Sequence, residues 1–102
     1  MVLTLPKVTV LMSVYNGEEH LNSAINSIIK QTFKDFEFII IDDHSLDKTQ
    51  KILDSVVDKR IHIIRNEKNY GLTRSLNIGL KLAKGQYVAR IDADDISHSS
   101  RL

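Results

Sequence analysis

At 102 residues, with 14 Lys and Arg against 13 Asp and Glu, the chain has room for one domain at most and carries a net charge of +1. That balance supplies no global field for nucleic acid or an anionic membrane, and 42% hydrophobic with 26% charged residues is the make-up of a folded chain, not a disordered one. The absence of cysteine excludes disulfides, thiolate metal sites and cysteine nucleophiles, and fits a reducing compartment.

The amino terminus, Met1 to Pro6, is apolar but far too short for a signal peptide or a membrane span, and no later apolar run approaches a span's length. Val8 to Val14 is β-rich and almost wholly apolar, as expected of a strand covered on both faces. Tyr15-Asn16-Gly17 breaks it with turn residues. From Glu18 the period becomes helical, with Leu21, Ala24, Ile25, Ile28 and Ile29 on one face and Glu18 and Glu19 at the positive helix start. Phe36 to Ile41 predicts a second buried strand, ending at Asp42-Asp43-His44-Ser45-Leu46-Asp47. Ser45 or Asp47 is expected to cap a second helix whose apolar face is Ile52, Leu53, Val56 and Val57.

Ile61 to Ile64 predicts a short third strand, and Asn66 to Gly71 a polar loop. Leu72, Leu76, Leu80 and Ala83 mark a third helix, with Gly85 as its stop. The order β-α-β-α-β-α-β, with short connections, predicts an α/β fold: an open parallel sheet with alternating helices and right-handed crossovers. The fourth strand, Tyr87-Val88-Ala89-Arg90-Ile91, runs into Asp92-Ala93-Asp94-Asp95. Six of the thirteen acids fall between Asp42 and Asp47 or between Asp92 and Asp95. Carboxylates this close repel one another, so a partner such as a divalent cation is the simplest reason for them. In open α/β sheets ligands sit beyond the carboxyl ends of the strands, where both clusters fall. The two acidic turns are therefore expected to converge on a single crevice wide enough for a nucleotide. A receiver-like fold also sets acids at parallel strand ends, but the third strand here ends Ile64-Arg65-Asn66 and offers no phosphoacceptor aspartate.

Five motifs occur in a familiar order: Ser13-Val14-Tyr15-Asn16-Gly17, Gln31-Thr32-Phe33, Ile41-Asp42-Asp43-His44-Ser45, Asn69-Tyr70-Gly71-Leu72, and Gly85 through Asp95. Together they resemble the amino-terminal, nucleotide-sugar-binding half of a family 2 glycosyltransferase with the GT-A fold. The resemblance covers residues 1–102 and implies a Rossmann-like half, truncated after the strand that carries the DxD motif, with the acceptor-binding half absent. It implies metal-dependent transfer of a sugar from a nucleoside-diphosphate sugar, a UDP-sugar for preference, to a glycan hydroxyl. Mn²⁺ or Mg²⁺ is the implied cofactor, since both take hard oxygen ligands and the departing diphosphate needs its charge stabilised. By position, Asp94 and Asp95 would hold the metal, and Asp92 would lie on the ribose side. Asp43 would accept from the base N–H, Tyr15 would flank the ring, Ser13 would line its pocket and Arg74 would reach the diphosphate.

Each of these has a plainer reading: an acidic helix-capping turn for Asp92 to Asp95 and for Asp42–Asp43, a rim residue for Tyr15, a solvated helix face for Arg74. Asp42 is expected to be structural, and His20 and His62 to be surface and sheet-edge residues. His44 stands where the family usually has glycine, and either crowds the loop or points outward. The proline common after the acidic cluster is missing, with His98-Ser99-Ser100 there instead. The catalytic base of inverting members lies beyond Leu102, so no residue here takes that role, and the isolated chain is expected to be inactive. The alternative function is a non-catalytic module that binds a nucleoside diphosphate. The resemblance also implies cytoplasmic placement, or a peripheral one at the inner face of the membrane, in polysaccharide synthesis. An exposed sheet edge points to a homodimer.

Overall fold

The computed structural model describes residues 4–102; Met1-Val2-Leu3 of the apolar amino terminus lie outside the described residues. Strands β1 (Val8–Val14), β2 (Phe36–Asp42), β3 (Ile61–Arg65) and β4 (Tyr87–Arg90) alternate with helices α1 (Leu21–Ile29), α2 (Thr49–Asp54) and α3 (Leu72–Leu82). All strand pairs are parallel, in the order β3-β2-β1-β4. The predicted α/β class is therefore correct. β1 and β2 sit in the middle, and β2 is buried at every position, which is why both read as nearly unbroken apolar runs.

Strand alternation divides the core. Val8, Val10, Met12 and Val14 join Phe36, Phe38 and Ile40 under Leu21, Ala24, Ile25, Ile28 and Leu53. Leu11, Ile39 and Ile41 face the other way, against Leu76, Ile78 and Ala83. The same alternation sends the neighbours Asp42 and Asp43 to opposite faces of the sheet.

Three element boundaries differ from expectation, each for a local reason. α1 starts at Leu21, because the Glu18 carboxylate accepts the Lys48 N–H at 3.1 Å and is spent on the neighbouring loop. α2 is only six residues long, and Val57 is 97% exposed beyond its end. Neither expected cap holds the N-cap position, which falls on Lys48: Asp47 Oδ1, one residue earlier, accepts the Thr49 N–H at 2.9 Å, and Ser45 Oγ accepts the Asn16 N–H at 3.0 Å.

Of the face expected for α3, Leu76 and Ala83 pack on the sheet, whereas Leu72 and Leu80 are half exposed and the buried positions are Ser75 and Gly79. A Cβ at Gly79 would overlap Leu11 Cδ1, so the helix lies close on the sheet through small residues, and Leu72 and Leu80 are left at its margins. Gly85 is not the helix stop. α3 ends at Leu82 in an extended Ala83, and a Cβ on Gly85 would overlap the Thr9 backbone N as the chain enters β4. Among the described residues, no helix is long and apolar enough to cross a membrane.

Candidate functional site

β1 is followed by strands placed on both of its sides: β2 and β3 build outward in one direction, and β4 adds on the other. The strand order therefore reverses at β1. At such a switch point the loops leave in opposite directions and open a crevice at the carboxyl ends of the strands. A cleft of 360 Å³ lies there, lined by Ser13, Tyr15, Asn16 and Gly17 after β1 and by Ala93 and Asp94 after β4, with Glu19 and His20 on its rim.

The acidic turn borders this cleft through Asp94; Asp92 and Asp95 do not line it. Asp92, Asp94 and Asp95 are exposed, and one carboxylate oxygen from each lies within 4.8 Å of the others. At such separations like charges cost about 1 kcal/mol per pair even in water. Among the described residues one cation answers them: Arg90 Nη2 donates to Asp92 Oδ1 at 3.4 Å, an exposed and weak contact. Three hard oxygen donors, exposed on one turn and under-neutralised, fit a small divalent cation such as Mg²⁺ or Mn²⁺. Tyr15, 46% exposed, and Ser13, half-buried, line the same cleft.

The other acidic strand end is built differently. Asp42 is 1% exposed; its Oδ2 accepts Arg65 Nη1 at 2.7 Å and its Oδ1 accepts the Ser45 N–H at 3.0 Å. It closes the β2–α2 turn and has a structural role, as the sequence suggested. Asp43 is 3% exposed. Its Oδ1 accepts Asn66 Nδ2 at 2.9 Å and the Tyr70 N–H at 2.7 Å, and its Oδ2 accepts the Gly71 N–H at 2.9 Å. Burial pushes the carboxyl up, but the bonds from Tyr70, Asn66, Gly71 and Ser75 together outweigh it and hold Asp43 below its ordinary value of 3.8. Gly71 precedes the first turn of α3, so the carboxylate also faces the positive end of that helix. Asp43 is not among the residues lining the cleft. With Asn66, Tyr70 and Gly71 bonded to it and Ser75 also turned toward it, at most one of its roughly four lone-pair positions is left for a ligand.

Arg74 lies off the cleft, on the exposed face of α3, with its guanidinium 4.0 Å from the centre of the Tyr70 ring. His44 has the left-handed φ of 62°, which explains why glycine suits this position, and its Nδ1 lies 3.2 Å from Asn66 O. It neither crowds the loop nor points away from it. His62 is exposed on edge strand β3, as expected, and His20 is exposed on the cleft rim.

Sequence reasoning missed Asn16. With φ of 51°, it donates its N–H to Ser45 Oγ and accepts the Leu46 N–H at Oδ1, 2.8 Å away. Beside it, Gly17 N–H meets Thr49 Oγ1 at 2.8 Å. These bonds lace the loop that carries Tyr15 to the loop after β2. The Asn-Gly pair marked a turn, but nothing in one sequence told which loop it would join.

With this geometry in hand, comparison with known proteins is direct. The model of Glycosyl transferase family 2 matches residues 9–102. An uncharacterized glycosyltransferase of Haemophilus influenzae is 46% identical over 93% of this chain and 30% of its own length. The Escherichia coli UDP-Glc:alpha-D-GlcNAc-diphosphoundecaprenol beta-1,3-glucosyltransferase WfaP is 38% identical over 86% of this chain and 35% of its own. The chain thus spans about a third of the length of these relatives. Among solved structures, Staphylococcus aureus TarS in complex with UDP superposes with a TM-score of 0.86 at 32% identity, over 92% of this chain and 29% of that one. The mannosyltransferase PcManGT from Pyrobaculum calidifontis, in complex with GDP-Man and Mn²⁺, superposes with a TM-score of 0.78 at 25% identity, over 89% of this chain and 28% of that one. On a family match that runs from the second residue of β1 to the last residue, the chain belongs to glycosyl transferase family 2.

Proposed function

We propose that this chain is the donor-binding part of a metal-dependent glycosyltransferase that moves a sugar from a UDP-sugar to a glycan hydroxyl. The observation that carries the reading is that Asp94, from the acidic turn, and Tyr15, from the loop after β1, line one cleft at the sheet's switch point. The UDP in the TarS complex, and GDP-Man with Mn²⁺ in PcManGT, support a nucleotide-sugar donor and a divalent cation.

In this reading Tyr15 offers its ring face to the base and Ser13 its hydroxyl. Asp92 sits toward the ribose, its carboxylate steadied by Arg90. Asp94 and Asp95 hold Mn²⁺ or Mg²⁺, which when bound supplies Lewis-acid stabilisation of the departing diphosphate. Asp43 reaches the base only through its remaining acceptor position, so its first service is to fix the loop Asn66 to Gly71. Arg74 reaches the diphosphate only by leaving Tyr70.

The test is a titration of UDP into the chain with and without Mn²⁺. Mn²⁺-dependent binding, lost in Asp94→Ala, is expected; binding indifferent to both the ion and the substitution refutes the reading. Where this chain forms part of a protein of its relatives' length, Asp94→Ala is expected to abolish metal-dependent turnover. The second reading is a module that binds a nucleoside diphosphate without catalysis. A donor-hydrolysis assay beside the titration separates the two. We also propose that copies pair through β4, an edge strand with Tyr87 and Val88 exposed, and a monomeric mass in sedimentation at high concentration counts against it.

A further inference from the structure

The polar segment after the acidic turn, Ser97 to Leu102, lines no part of the cleft, yet it is tied firmly to the end of α1. Gln31, fully buried, donates Nε2 to His98 O at 2.6 Å, and its Oε1 accepts the Leu102 N–H at 3.0 Å. Thr32 applies both its N–H and its hydroxyl to Ser99 O, at 2.8 and 3.1 Å. One turn earlier, Ser27 Oγ accepts the Ser97 N–H at 2.9 Å. A side-chain amide is suited to this place because it offers a donor and an acceptor at once, and here both ends are used.

This clasp forms one foot of an arch. The other foot is Ile91, 1% exposed, whose N–H bonds Leu11 O at 3.0 Å. Between the feet Asp92, Asp94, Asp95 and Ile96 are exposed; Ala93 packs against the core, and the turn's own backbone bond is Asp95 N–H to Asp92 O. Three mutually repelling carboxylates favour opening of that turn, so their spacing depends on where the feet are held.

We infer that Gln31 is a positioning residue for the acidic turn: by clasping the backbone of His98 and Leu102 it fixes the second foot of the arch that carries Asp92 and Asp95 and presents Asp94 to the cleft. Gln31 touches neither donor nor cation, and the inference rests on the donor site proposed above. Groups that orient metal-ligand carboxylates from behind alter metal affinity by about 10- to 100-fold when removed.

The experiment compares the wild-type chain with Gln31→Met, which keeps the side chain's length and loses both polar ends. Ser27→Ala removes one clasp bond while placing a good helix former in α1, so folding is not at stake. Two readouts are taken: amide exchange across residues 91–102 against that of β1, and Mn²⁺ affinity in the presence of UDP, followed by the signal of the free ion. Faster exchange confined to 97–102, with Mn²⁺ affinity down about tenfold in Gln31→Met and less in Ser27→Ala, is expected. Unchanged exchange in both variants overturns the clasp. Faster exchange with wild-type Mn²⁺ affinity overturns the positioning role. A wild-type chain that binds no Mn²⁺ overturns the donor site itself, a result separate from either.

Discussion

The two acidic strand ends look alike in sequence and are physically opposite. After β2, Asp42 and Asp43 are almost fully buried, and each carboxylate is held by two or three donors. After β4, Asp92, Asp94 and Asp95 are exposed and answered by a single weak contact to Arg90. Buried and saturated carboxylates hold loops together; exposed and under-neutralised ones are left with capacity for a ligand. The difference follows from sheet position. β2 is flanked by β1 and β3, so its end is walled by the loops that follow its neighbours. β4 stands at an edge next to the reversal, so its end faces open space.

The comparison breaks most visibly if Asp43 is removed. Asp43→Ala leaves Asn66, Tyr70 N–H and Gly71 N–H without their acceptor, and a destabilisation of about 3 kcal/mol is expected in urea unfolding. Arg65→Ala strands the buried Asp42 with the Ser45 N–H alone, and about 2 kcal/mol is expected by the same measurement. Asp94→Ala, in contrast, should change stability by no more than about 0.5 kcal/mol, because it removes a repelling charge and no bond. If Asp43→Ala and Asp94→Ala cost the same, the distinction between the two ends is lost.

Acid sharpens the same contrast. Asp43 titrates below its ordinary value of 3.8 in the folded chain. The unfolded chain then binds more protons than the folded one over that interval, so this contribution is present above 3.8 and is lost as pH falls through the lower folded value. Stability measured from pH 6 downward should therefore drop near and below pH 4. The drop should be smaller in Asp43→Asn, which carries no titrating group there. An equal acid loss in both proteins would show that Asp43 is not its source.

How much of this was legible in the sequence depends on whether a residue's partner is local. The succession of strands and helices and the burial of β1 and β2 followed from apolar runs and helical periodicity, and the cluster Asp92 to Asp95 was conspicuous because three acids in four residues need no partner to be noticed. Half of the expected α3 face, Leu76 and Ala83, packs on the sheet; Leu72 and Leu80 do not, because leucine spacing was the visible signal, whereas contact distance is set by Gly79 against Leu11, sixty-eight positions earlier. Asp43 read as a ligand-facing acid because its donors come from the loop Asn66 to Gly71, and one sequence does not say which loop folds onto which strand end. Gln31 was noticed only as part of a motif, since its partners lie at the far end of the chain.

A small net effect is expected of glycine at His44, on the locked side. Its left-handed φ of 62° strains an L-residue by about 1–2 kcal/mol, and glycine would relieve that. Against the gain stand the bond between the ring and Asn66 O, worth about 1 kcal/mol, and the greater freedom of glycine in the unfolded chain, roughly 0.5–1 kcal/mol. His44→Gly should therefore unfold within about 0.5 kcal/mol of the wild type. His44→Ala keeps the strain and loses the ring, so it should be destabilised by about 1 kcal/mol in the same urea series. A glycine variant well above the wild type would mean that the imidazole contributes nothing to the loop after β3. An alanine variant equal to the wild type would say the same from the other side, and Asp43 would then hold that loop without help from its neighbour.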